Sequence, residues 1–298
     1  GQGTLLASAP LLTRVYSPAD FGALTAFTAV VAVIASLATL SWDRAVAIPR
    51  SEREASALVL LGCIASIVLA AVLAPLSWFA GPYADALFGT RVFVNYWWLV
   101  PVAVLALGLY AMLSAWLVRN KEYGSLARRN ALLGLSQAVS SVAMGIAGLG
   151  VVGLLSGSAV GRLSALIGVS ITRRHRVILR PSRSVLRNSA RRFRKFPLVA
   201  TWSRAINVLG QQMAPILLVA LYTSVEVGLY ALTLRVLATP LGIVVDAVSQ
   251  YFEGILAEKL RDQLGGLGAF VKRTSQRLLL VGLGPAVFIA FSAPYVFS

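Results

Sequence analysis

The chain has one cysteine, Cys63, and one histidine, His175. Cys63 lies in an apolar run, so neither a disulfide framework nor a cysteine metal cluster can form. A lone histidine argues against a histidine-centred hydrolase or metal site. Charge is scarce as well: 13% of residues are Asp, Glu, Lys or Arg, against about a quarter in a soluble domain. Acid is scarcest, with 11 Asp+Glu beside 27 Lys+Arg. No P-loop, Ser/His/Asp set or paired-carboxylate motif is present. Covalent catalysis, ATP hydrolysis and a cofactor are therefore not expected. No signal peptide is visible, since residue 1 is Gly and an apolar run begins at once.

What the chain does have is apolar length: 58% of its residues are hydrophobic and its mean hydropathy is +0.79. Apolar segments cover roughly residues 3–15, 21–41, 55–75, 96–118, 130–148, 151–171, 198–222, 228–250 and 276–297. Most approach or exceed the ~18 residues that suggest a spanning helix. The expected fold is an all-α integral membrane protein with about nine transmembrane helices. Residues 1–15 are too short to span and the last segment stops near Ser298, so a chain truncated at both ends is expected.

The bases alternate between connections. Arg14 and Arg91 stand in the odd-numbered connections. The even ones hold Arg44, Arg50 and Arg53; Arg119, Lys121, Arg128 and Arg129; ten bases between Arg173 and Lys195; and Lys259, Arg261, Lys272, Arg273 and Arg277. The positive-inside rule places the even connections in the cytoplasm. Trp78, Phe79, Tyr83, Tyr96, Trp97 and Trp98 flank the third connection and fit an outer interfacial belt.

The net charge of +16 and pI near 11.0 would suggest nucleic acid in a soluble protein. Here the basic excess is first a topology signal, and no nucleic-acid partner is expected. Residues 182–196 are expected to form a helix lying on the membrane, with Leu186, Ala190 and Phe193 at helical spacing and anionic lipid headgroups around 173–195 as the contact.

An internal repeat is present. Tyr16-Ser17-Pro18-Ala19-Asp20-Phe21-Gly22 and Tyr222-Thr223-Ser224-Val225-Glu226-Val227-Gly228 both read Y-[S/T]-x-x-[D/E]-x-G ahead of an apolar segment. The spacing is that of a capping box, with the acid at the positive end of the helix dipole. Six helices separate the copies, so the halves share one orientation, as parallel repeats do. The expected organisation is an N-terminal lobe over 1–172, a basic cytoplasmic linker over 173–196, and an incomplete C-terminal lobe over 197–298.

Charge inside the membrane costs roughly 2.5–3.5 kcal/mol on insertion scales. Arg162, Arg204, Arg235 and Asp246 lie within apolar segments. Arg204, Asn207 and Gln211 share one helix face, as do Arg235, Thr239, Gly242 and Asp246. So do Thr25, Thr28, Ser36, Thr39 and Asp43. These faces are expected to line one cavity. Arg162, Arg204, Asn207, Gln211, Arg235 and Thr239 are the candidate substrate-binding residues, and Asp246 is a candidate ion-coupling carboxylate. Asp43, next to Arg44, reads as half of a surface pair. Three arginines against one buried carboxylate suit an anion, above all a phosphate or diphosphate.

Other signals read as packing. Gly148 to Gly153 fits G-x-G-x-x-G, but it joins two apolar segments with no strand before it, so a hairpin turn is expected. Gly157 and Gly161 fit helix–helix packing. Tyr110 to Trp116 reads as ordinary spanning helix.

The run from Pro10 to Gly22 resembles the first outer loop of bacterial polysaccharide biosynthesis proteins. These are the lipid-linked oligosaccharide flippases of the multidrug/oligosaccharidyl-lipid/polysaccharide exporter superfamily. Phe196-Pro197, Gly228-Leu229-Tyr230-Ala231-Leu232, Arg235-Val236-Leu237 and Pro240-Leu241 agree with it in order along the chain. The resemblance implies a two-lobed, MATE-like bundle with a central cavity in the bacterial inner membrane. It implies movement of an undecaprenyl-diphosphate-linked O-antigen, capsule or exopolysaccharide unit by alternating access, driven by an ion gradient or the membrane potential. Arg204 and Arg235 match its arginine positions, and a polysaccharide polymerase is an implied partner. Two alternatives stand beside it, a drug/cation antiporter of the same superfamily and a membrane-integral polymerase or glycosyltransferase. Against the enzyme, the longest outer connection, about residues 76–95, offers only Asp85 and Arg91.

Overall fold

A computed structural model describes residues 11–170 and 181–234, together with Ser8 and Gln276, and all its regular elements are helices. The chain divides into compact units Gly1–Thr239 and Pro240–Ser298, and every described residue except Gln276 belongs to the first.

Residues 11–15 are helical, and α1 follows at Pro18–Ala35. Ser17 caps α1, Pro18 takes the first position where its missing N–H costs nothing, and Asp20 completes the capping box. The expected segment 21–41 ends early. The Ser36 hydroxyl donates to the Val33 carbonyl at 2.6 Å, and the amides of Leu37, Ala38 and Leu40 bond three residues back. That tighter winding does not propagate far. Leu40 and Ser41 then turn the chain with φ of 48° and 54° into the short α2, Trp42–Ala45.

α3, Glu52–Phe88, is longer than expected at 37 residues. It continues through Pro75 and Pro82 into the expected connection of about residues 76–95. At 1.5 Å per residue it reaches about 55 Å, well beyond a hydrocarbon core of about 30 Å, so one end must project. Gly89, with φ 59°, ends it in the left-handed conformation common after helices. Asp85 then fixes the return. Its carboxylate accepts from Thr90 Oγ1 at 2.8 Å, the Phe93 amide at 3.0 Å and the Val94 amide at 2.7 Å, which positions α4, Val92–Asn95. Along α3, Ile64, Ile67, Val68, Val72 and Leu76 are exposed at helical spacing, an apolar face suited to lipid.

α5 spans Leu99–Arg119 and α7 Val151–Ser170, close to their expected ranges, whereas α6, Tyr123–Ile146, starts well before the expected residue 130 and takes in Arg128 and Arg129 from the connection. Between α6 and α7, Gly148 (φ 75°) and Gly150 (φ 57°) make the hairpin turn. A side chain on Gly157 or Gly161 would strike Ser141, or Gln137 and the Leu133 carbonyl, so these glycines let α6 and α7 touch. Tyr16 is seated on this hairpin, its hydroxyl donating to the Ser141 carbonyl at 2.6 Å.

α8, Arg183–Arg192, falls within the range 182–196 where a helix was expected. Phe193, with Ala190 against it, is packed into a cluster with Trp42, Val46, Leu58, Met112 and Trp116. Arg192 also pairs with Glu54 at 3.1 Å. Phe193 and Ala190 therefore pack on the ends of α2, α3 and α5. α9 runs over Phe196–Leu221, its first turn widened to π winding, and α10 over Ser224–Leu234. α10 is the start of the expected segment 228–250; the remainder of it, and 276–297 apart from Gln276, lie outside the described residues.

Among the described residues, five helices are long and apolar enough to cross a membrane: α1, α3, α5, Val151–Gly168 within α7, and α9. This is a multi-pass, all-α membrane protein. α6 falls short on polarity, since Arg128, Arg129, Asn130, Ser136, Gln137, Ser140 and Ser141 give it a polar side. The main core joins α1, α3, α4 and α5, with Phe27, Phe88, Phe93, Leu99 and Val104 buried together.

Candidate functional site

A cavity of about 790 Å³ lies between α1, α5, α6, α7, α9 and α10. α1 and the turn that follows it run along one wall, with their polar residues on a single face. Thr25, Thr28, Ser36 and Thr39 all line the cavity. Thr25 and Thr28 donate to the carbonyls of Phe21 and Leu24, each at 2.8 Å. Their hydrogens are used within the helix, which leaves oxygen lone pairs for the cavity.

The opposite walls bring Gln137, Ser141, Ser158 and Arg162 from the α6–α7 hairpin, and Arg204, Gln211 and Gln212 from α9. Arg162 is half-buried and donates from Nη1 to the Ser158 carbonyl at 2.8 Å. Among the described residues it has no carboxylate partner. No Asp or Glu is found among the described lining residues.

Arg204 is compensated. Its Nη1 lies 3.0 Å from Asp43 Oδ2 and 3.2 Å from Oδ1, and Thr39 donates to Oδ1 at 2.6 Å. This corrects the reading of Asp43 as the surface partner of Arg44. Asp43 follows the turn that ends α1, and that turn aims it at α9. The expected excess of three cavity arginines over one carboxylate is reduced accordingly.

The structure thus brings Arg162, Arg204 and Gln211 to one cavity. Asn207 is exposed beside it and accepts from Gln211 Nε2 at 2.8 Å. Arg235, Thr239 and Asp246 lie outside the described residues.

One group was not foreseen. Tyr110 lines the cavity instead of serving as plain spanning helix. Behind it, Arg129 is only 3% exposed, with its guanidinium carbon 3.9 Å from the Tyr110 ring centre. Asn130 Oδ1 accepts from both Tyr110 Oη at 2.8 Å and Arg129 Nη2 at 3.0 Å. Ser114 and the Tyr110 carbonyl accept from Nη1, while Nε is buried with no hydrogen-bond partner. In the sequence Arg129 was one base among four in a connection. The only signal that could have separated it was the polar side of α6 continuing past it.

A family model for polysaccharide biosynthesis proteins matches residues 11–298. No curated protein and no solved structure gives a significant match.

Proposed function

Because the chain belongs to the polysaccharide biosynthesis protein family, we propose that it is a flippase for a polyprenyl-diphosphate-linked oligosaccharide in the bacterial inner membrane. The observation that supports this best is the cavity itself. It carries Arg162 without a carboxylate partner among the described residues, and Thr, Ser, Gln and Tyr side chains are set among the apolar residues of its wall. A guanidinium without a carboxylate partner attracts phosphate oxygens through charge-assisted bonds. Gln137, Gln211, Gln212, Thr25 and Thr28 offer the donors and acceptors that sugar hydroxyls need. The volume falls in the usual range of roughly 300–1,000 Å³ for small-ligand sites, enough for a headgroup while the lipid tail stays in the bilayer.

Arg204 enters this scheme as an exchangeable partner: an incoming anion competes with Asp43 for its guanidinium. Arg235 and Thr239 are assigned to the same path by their place in the repeat, and Asp246 to ion coupling. Movement follows alternation of the two lobes, with no covalent step. The arginines Arg183, Arg187 and Arg191 recur on the exposed side of α8 and meet anionic headgroups.

A cation antiporter would be expected to place an acid in the cavity wall, and the described lining holds none. An outer catalytic carboxylate is not favoured either, since Asp85 spends its acceptors on Thr90, Phe93 and Val94. The test is complementation of a flippase-null strain by the full-length gene. Wild type restores the surface glycan, and the Arg162→Ala/Arg204→Ala/Arg235→Ala variant does not. Full restoration by the triple variant would remove the arginine mechanism.

A further inference from the structure

The two copies of the Y-[S/T]-x-x-[D/E]-x-G element touch each other. Each is closed by the same bonds. In the first, the Ser17 amide and hydroxyl donate to Asp20 Oδ2 at 2.9 and 2.8 Å, and the Asp20 amide donates to Ser17 Oγ at 3.3 Å. In the second, the Thr223 amide and hydroxyl donate to Glu226 Oε2, both at 2.9 Å, and the Glu226 amide donates to Thr223 Oγ1 at 3.4 Å. Pro18 and Ser224 are the first residues of α1 and α10, and Gly22 and Gly228 are the fifth.

These equivalent positions contact one another reciprocally. A Cβ on Gly22 would overlap the Ser224 carbonyl oxygen and sit 2.8 Å from its carbon. A Cβ on Gly228 would overlap the Pro18 carbonyl oxygen, 2.6 Å from its carbon and 3.2 Å from the Gly22 nitrogen. The fifth residue of each copy meets the first residue of the other, which is the pattern a two-fold axis produces. Both obstacles are backbone and cannot swing aside. Both glycines are buried, and neighbouring Val227 is 1% exposed.

Bringing two helix N-termini together sets two partial positive charges side by side. Asp20 and Glu226 supply one carboxylate to each and offset that repulsion. Farther along the same helices, Thr25 and Thr28 on α1 and Ala231 and Leu234 on α10 line the cavity. The crossing therefore stands at the end of the cavity remote from the Asp43–Arg204 pair.

We propose that this glycine crossing is the gate at the outer end of the cavity. It is closed in this structure and opens when α1 and α10 part at Gly22 and Gly228. The capping boxes keep each helix end rigid, so the ends separate as bodies instead of unwinding. The inference rests on reading the cavity as a translocation path, but its test needs no substrate.

The experiment uses the full-length protein with Cys63→Ala, and a membrane-impermeant cationic thiol reagent applied from the outer face of intact cells. With native glycines, Thr25→Cys should react at least about tenfold more slowly than Tyr222→Cys, whose position is 57% exposed. Adding Gly228→Leu, or separately Gly22→Leu, should speed Thr25→Cys labelling by about tenfold or more. Equal rates at positions 25 and 222 with native glycines would overturn the gate. So would an unchanged Thr25→Cys rate in a correctly inserted leucine variant. The native-glycine comparison stands even if the leucine variants fail to insert. Failure of the unmodified full-length gene to restore glycan export, with these labelling rates as expected, would count against the flippase reading and leave the gate in place.

Discussion

Arg204 and Asp43 lie 161 positions apart in the chain and form an ion pair of 3.0 Å, with Thr39 as a third member. The pair ties the start of α9 to the turn after α1. Its side chains retain 25% and 15% exposure, so it is neither a fully dry pair nor a screened surface one. Removing one partner leaves the other charge without compensation, a cost of up to about 3 kcal/mol. Asp43→Asn should lower the melting temperature of the detergent-solubilised protein more than Arg44→Gln does. Arg204→Gln combined with Asp43→Asn should recover part of the loss, and additive losses would show that the two residues are not coupled.

The buried cation behind the cavity wall gives a second expectation. Arg129→Met keeps an apolar stem in place but removes the charge over the Tyr110 ring. Tyr110→Phe removes the hydroxyl that Asn130 holds. Each change should lower glycan export several-fold, and the double variant should be no worse than the poorer single one, because both act through the same ring. Multiplying losses in surface-glycan quantification would place Arg129 and Tyr110 on separate paths.

The second capping box carries a pH dependence. The Thr223 amide, then its hydroxyl, hold the Glu226 carboxyl below its ordinary range. A depressed folded pKa means that the stabilisation is complete above the unfolded value of about 4.3 and fades as pH falls through the folded one. Amide protection over residues 224–227, corrected for intrinsic exchange rates, should thus stay level from neutral pH to about pH 5 and drop in stronger acid. Glu226→Gln should show weaker protection at neutral pH and no such drop. A wild-type profile that matches the glutamine variant would contradict the cap's role.

Much of this organisation could be read in the sequence, and the exceptions share a cause. Apolar length placed most helices, since a run such as 99–119 has few other stable forms in a membrane. The polar face of Thr25, Thr28, Ser36 and Thr39 was legible because helical spacing fixes which residues share a side. Arg162, Arg204 and Gln211 were found because charge or amide in an apolar run is costly. Contacts across the fold were not legible. Asp43 sits beside Arg44 in sequence, and only the turn at Leu40 and Ser41 sends it to Arg204. Apolar length alone suggested that the third helix would stop near residue 75, yet α3 continues to Phe88. α8 showed its apolar side in the sequence, but not that Trp42 and Trp116 would cover it. The repeat announced two capped helix starts, and local pattern could not show that they meet.

The central claim is that the cavity carries a diphosphate-linked glycan past Arg162, and reconstitution tests it most directly. The full-length protein in liposomes is given a labelled polyprenyl-diphosphate oligosaccharide, and the fraction reaching the far leaflet is followed over time. Wild type should move it, Arg162→Lys should retain part of the rate, and Arg162→Ala should lose about tenfold or more. An Arg162→Ala rate equal to wild type, or movement no faster than in protein-free liposomes, would contradict the account.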